Sequence, residues 1–176
     1  MMTNNIEWVE WVRRLMEREL GCVEREVLAY PDDESLWKVV PGISNPGGTL
    51  ALHLSGNLRH FIGAQLGASG YVRDRDAEFS ARGASRAEVA AQVADARRAV
   101  HSALDSLDPA RFSERFPIKV GGCTMDAGSF ATHLLSHLGY HLGQLDYHRR
   151  IVTGSPKTVD AVSIPEVFGG AESTHA

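Results

Sequence analysis

Residues 130–150, FATHLLSHLGYHLGQLDYHRR, hold four of the chain's eight histidines, at positions 133, 137, 141 and 148. On a helix, residues four apart stand one turn above each other on one face. His133, His137 and His141 therefore form a stripe, and His148 follows two turns beyond His141. Two imidazoles at this spacing can reach one metal ion, the geometry of His-x-x-x-His metal helices. Two ligands on one helix do not close a site, so a third must arrive from elsewhere.

His53 is the candidate. It lies in TLALHLSGNLRHFIGAQLGAS, residues 49–69, which reads as a helix with Leu50, Leu54, Leu58, Phe61 and Leu66 on its buried face. Its leucine neighbours turn His53 inward, Asn57 borders the same face, and His60 lies two turns away. A lone inward histidine usually makes a core hydrogen bond, but beside a separate histidine pair the ligand reading gains weight. His101 borders the stripe of another helix and reads as structural.

The elements that must position these residues follow from periodicity. Residues 6–30 read as an amphipathic helix with Asn4 or Asn5 as cap and Trp8 and Trp11 in the core. Residues 31–48, with three prolines and three glycines, read as a connector in which Trp37 packs over the core. Residues 70–84 alternate Arg73, Asp74, Arg75, Asp76 and Glu78, which reads as a solvated loop held by ion pairs, with an anionic ligand as the second reading. Ser85 and Glu88 form a capping box before a third helix that stops at Asp108-Pro109. Phe116, Ile118 and Val120 alternate before Gly121-Gly122, the pattern of a short hairpin. The histidine helix follows, capped by Thr124 or Asp126 and ended by residues 153–156. The expected fold is all-α, a four-helix bundle over residues 1–155 with long connectors and a minor hairpin before the last helix. An irregular tail covers residues 156–176.

At 176 residues and a formal charge of −4, one domain with a sizeable core is expected, without the basic excess of a nucleic-acid binder. Two cysteines, Cys22 and Cys123, build neither a disulfide framework nor a zinc site. The charged N-terminal segment lacks the apolar run of a signal peptide, and no long apolar window spans a membrane, so a cytoplasmic protein is expected.

Three quoted motifs carry a family resemblance. They are His53-Leu54-Ser55-Gly56-Asn57-Leu58, the charged loop from Arg73 to Phe79, and His137-Leu138-Gly139-Tyr140-His141-Leu142-Gly143-Gln144. With them the chain resembles the DinB-like (damage-inducible) superfamily over residues 6–165, closest to a subgroup of unknown function. The resemblance implies a four-helix bundle whose His53, His137 and His141 hold a divalent metal, with His133 and His148 outside the triad. Zinc or nickel is the expected ion, with iron or manganese as alternatives.

Family members of known chemistry include thiol-dependent transferases and isomerases. Three imidazoles leave a coordination position open, where an ion can activate a water or hold a thiolate. No glutamate like that of His-Glu-x-x-His accompanies the pair, which favours thiol transfer over hydrolysis. The expected function is a metal-dependent transferase joining a low-molecular-weight thiol to a small electrophile. The alternatives are a metal hydrolase and a non-catalytic, metal-stabilised dimer. A homodimer is expected from Trp8, Trp11 and the apolar tail residues Val159, Val162, Ile164, Val167 and Phe168.

Overall fold

The computed structural model describes residues 2–168, and its regular elements are helical. Helix α1 (Met2–Leu28) buries Val12, Met16, Leu20, Val23 and Val27 along one stripe. It begins before residue 6, so Asn4 and Asn5 lie inside it and neither caps it. No glycine or proline stands there to break the first turns. The tryptophans correct the sequence reading: Trp8 is 51% and Trp11 39% exposed, because Val9, Val12 and Met16 already fill the inner face. Beyond Leu28 the chain turns and Tyr30 drops into the core.

The connector holds one short helix, α2 (Asp33–Leu36), capped by the Asp32 carboxylate, which accepts the Ser35 N–H at 2.7 Å. Trp37 lies flat over Gly48, where a Cβ would come within 2.6 Å of its ring, and donates Nε1–H to the Ala84 carbonyl at 2.7 Å. It is a packing residue. That close cover lets α3 (Gly47–Leu58) start two residues before the expected Thr49.

From Arg59 to Ala64 the helix widens into a π-helix, with Gln65 N–H bonded to His60 O and Gly67 N–H to Ile62 O. The segment read as a solvated loop instead folds a short helix, α4 (Arg75–Ser80), capped by Asp74. Its Glu78 is 6% exposed, a buried carboxylate in a stretch whose composition looked wholly solvated. The reason is local pairing, described below.

Helix α5 (Arg86–Asp105) carries the expected capping box from Ser85 and Glu88. Its Ala99 and Ala103 meet Gly63 and Gly67, where a Cβ would stand 3.1 and 2.5 Å from the alanine methyls. A 3₁₀ turn (Pro109–Ser113) follows. The expected hairpin is reduced to two isolated antiparallel bridges, Arg115 with Asp126 and Val120 with Cys123. Gly121 and Gly122 both take positive φ, 57° and 80°, as a two-residue type I′ turn requires.

Helix α6 (Ala127–Thr153) is capped by Asp126, which accepts the Ser129 N–H at 2.7 Å, and ends at Gly154 with φ 68°. The tail is less irregular than expected. Helix α7 (Ile164–Phe168) lies back on α1, with Val167 buried, Arg25 paired to Glu166 at 3.2 Å and Phe168 against Trp11 at 5.0 Å. Residues 169–176 of the expected tail, His175 among them, lie outside the described residues.

Each of α1 and α3 packs against both α5 and α6, so the four long helices share one apolar core. Helices α3 and α6 run antiparallel. A Cβ on Gly47 would lie 3.0 Å from Leu145, and fourteen residues further on Phe61 meets Phe130 with ring centroids 5.0 Å apart. This register brings His53 opposite the histidine stripe of α6.

Candidate metal centre

His53 stands on the α3 face turned to α6 and is 8% exposed. His137 and His141 stand one turn apart on α6, with ring centroids 4.5 Å from each other and 5.2 and 5.4 Å from His53. One ligand nitrogen from each of the three lies within 4.8 Å of the others. His53 Nε2 and His137 Nε2 are 3.4 Å apart.

Two of the rings are oriented by oxygen acceptors at Nδ1. His53 Nδ1 lies 3.1 Å from Glu78 Oε2. Arg73 Nη2 approaches the same nitrogen at 3.3 Å, but a guanidinium only donates, and its fork closes on Glu78 at 2.6 and 2.7 Å. The consistent arrangement has His53 Nδ1–H donating to Glu78, which leaves the Nε2 lone pair facing His137. Across the site, His141 Nδ1–H donates to Gln144 Oε1 at 2.7 Å and frees its own Nε2. Such partners fix tautomer and ring direction in metal-binding histidines.

Electrostatics favour the neutral rings that coordination needs. Burial, then the neighbouring His141 and His53, pushes the His137 pKa down to about 4. Burial also lowers His141, against the Gln144 hydrogen bond that raises it. Burial would raise Glu78, but hydrogen bonds from Arg73 and His53 outweigh it and hold the carboxyl below its usual range. Glu78 is therefore an anion committed to Arg73 and His53.

The residues fit a divalent cation. They offer three imidazoles with convergent nitrogens, two of them steered by built-in acceptors. His133, His148 and His101 do different work. His133 is exposed and stacks on Phe130, 6.4 Å from His137. His148 is fully buried, donates Nε2–H to the Lys38 carbonyl at 2.9 Å and accepts the Tyr30 hydroxyl at 2.7 Å. His101 is exposed, 3.0 Å from Glu17.

Glu78, Arg73 and Gln144 have structural roles that the residue-by-residue reading did not assign. Gln144 was legible as the residue three after His141, on the same helix face. Asp74, a cap three residues before Ala77, marks the short helix that carries Glu78.

Residues 3–167 match the family described as Protein of unknown function (DUF1572). The chain belongs to that family. DUF1572 is DinB-like in general, in keeping with the resemblance drawn from the motifs. No curated protein and no solved structure matches the chain. Among the described residues of this DUF1572 member, no helix is long and apolar enough to cross a membrane.

Proposed function

We propose that His53, His137 and His141 hold one divalent metal in a four-helix bundle of DinB-like type. The protein is then a metal-dependent transferase joining a low-molecular-weight thiol to a small electrophile. The observation that carries the proposal is the convergence of three imidazole nitrogens within 4.8 Å, with Nδ1 of His53 and of His141 each engaged by an acceptor. An ion held by three neutral ligands keeps a position for an exogenous group and stabilises a thiolate there. Zinc or nickel suits imidazole donors, and iron and manganese remain compatible with them.

Glu78 bears on the reaction type. Hydrolysis calls for a base beside the activated water, whereas Glu78 is spent on Arg73 and on the far nitrogen of His53. Thiol transfer needs no such base. The exposed Ile6, Trp8 and Trp11 beside Phe168 support the companion proposal of a homodimer. The free thiols Cys22 and Cys123 accord with a cytoplasmic setting.

The test is elemental analysis of purified protein, followed by a screen of small thiols against electrophiles. The expected result is about one metal per chain, conjugation that depends on it, and loss of both in His137→Ala. Full metal content in the His53, His137 and His141 alanine variants would reject the site. Metal-dependent ester or amide cleavage without conjugation would select the hydrolase. A monomeric mass by light scattering would reject the dimer.

A further inference from the structure

Asn57 is 7% exposed, and its Oδ1 is buried without a hydrogen-bond partner among the described residues. Buried acceptors are rarely left so, because an unmade hydrogen bond retains the full desolvation penalty. The position of Asn57 is fixed from both sides. One turn before it on α3, His53 faces His137; one turn after it, Phe61 packs on Phe130. Phe130 and His137 are two turns apart on α6, so Asn57 lies in the same seam, between the aromatic contact and the histidine triad.

We infer that Asn57 is a positioning residue whose amide oxygen accepts a hydrogen bond from the protic ligand completing the three-histidine site. That ligand is water in the resting protein, or the donor-bearing group of a substrate. This inference rests on the metal reading above. It defines a chemical preference: the acceptor disfavours small anions with no hydrogen to donate, and favours water or a substrate thiolate that brings an N–H or O–H donor of its own beside the sulfur. It also accounts for a buried asparagine on the aromatic side of the histidines, where leucine would pack without penalty.

The test uses the full chain loaded with Co(II), whose visible spectrum reports the ligand sphere, and azide as an anion with no hydrogen to donate. In Asn57→Leu, the displaced water loses its acceptor and azide binds about fivefold tighter, the factor of one neutral hydrogen bond. In Asn57→Asp, the added charge beside the ion weakens azide at least tenfold and tightens Co(II). A residue that only packs the seam, or that holds a separate buried water, leaves azide affinity unchanged in Asn57→Leu. Unchanged azide affinity in Asn57→Leu overturns the inference while leaving the metal site intact. Should that variant lose its helical circular dichroism, Asn57→Asp decides, and unchanged azide and Co(II) affinities overturn it. Wild-type protein that takes up no Co(II), or takes it up equally in His53→Ala, overturns the metal reading itself.

Discussion

The Glu78 carboxylate occupies the space that a side chain on Gly56 would fill. Gly56 stands three residues after His53 on α3, so the same missing Cβ that admits Glu78 also lets it reach His53 Nδ1. A glycine in a helix interior costs about 0.5–1 kcal/mol relative to alanine. Here the vacancy gives a buried carboxylate its seat.

Gly56→Ala is therefore expected to act at a distance from the metal, by pushing Glu78 off His53. Metal affinity should fall about tenfold to a hundredfold, the usual range for losing an outer partner of a ligand. Glu78→Gln should fall in the same range, and the double variant should be little worse than either. Competition against a chromogenic chelator measures all three. Additive losses would show that glycine and glutamate act independently.

Chelation separates catalytic from structural roles for the ion. The core runs through all four long helices and includes Met16, Leu20, Leu54, Ile62, Val93, Leu138 and Leu145, none of which depends on the histidines. Protein stripped by a strong chelator at neutral pH should keep its helical circular dichroism, with a lower midpoint in urea. Loss of helicity on chelation would make the ion chiefly structural.

Acid should destabilise the metal-free protein in a defined window. His137 titrates near 4 in the fold, and burial holds His141 and His148 below the usual histidine range. The unfolded histidines titrate at about 6.5. Between those values the unfolded chain binds more protons, so stability falls as pH drops from about 6.5 towards 4 and is flat in these groups above 6.5. Urea midpoints at half-unit pH steps read this directly. For the same reason, bound metal should be retained well below pH 6.5, then lost steeply because three rings compete together.

The heaviest penalty in the core is expected at Glu26, which is fully buried against Arg149, itself 2% exposed. Arg149 also bonds Asp146 at 3.1 Å and the Lys157 carbonyl at 2.8 Å. Glu26→Ala leaves that guanidinium without its main partner and should cost about 3–5 kcal/mol. The paired change Glu26→Leu with Arg149→Met should recover most of it. Chemical denaturation of the single and double variants measures the difference.

The long helices and the histidine pair were legible because both depend on spacing within one continuous stretch. Ser85 and Glu88 announced their capping box, and His137 and His141 announced a shared face. What spacing does not reveal is which of several apolar faces wins the core. Trp8 and Trp11 have the period of buried residues, yet a neighbouring stripe of smaller side chains lies inward. Glu78 was hidden for the opposite reason. Its charged neighbours read as solvent-facing, while its burial depends on a glycine twenty-two residues earlier and on Arg73.

The wide turn at Arg59–Ala64 has a consequence for how α3 serves two neighbours. An α-helix advances about 100° per residue, and a π turn spends one extra residue without advancing the axis by a full step. The chain beyond it is thereby re-phased. Upstream, His53 is aimed at α6; within the turn and just past it, Gly63 and Gly67 meet the alanines of α5. A single-residue deletion in this turn would restore a regular helix and rotate one of these faces away from its mate. The bulge is the gearing that keeps the polar seam and the small-residue seam each in mesh.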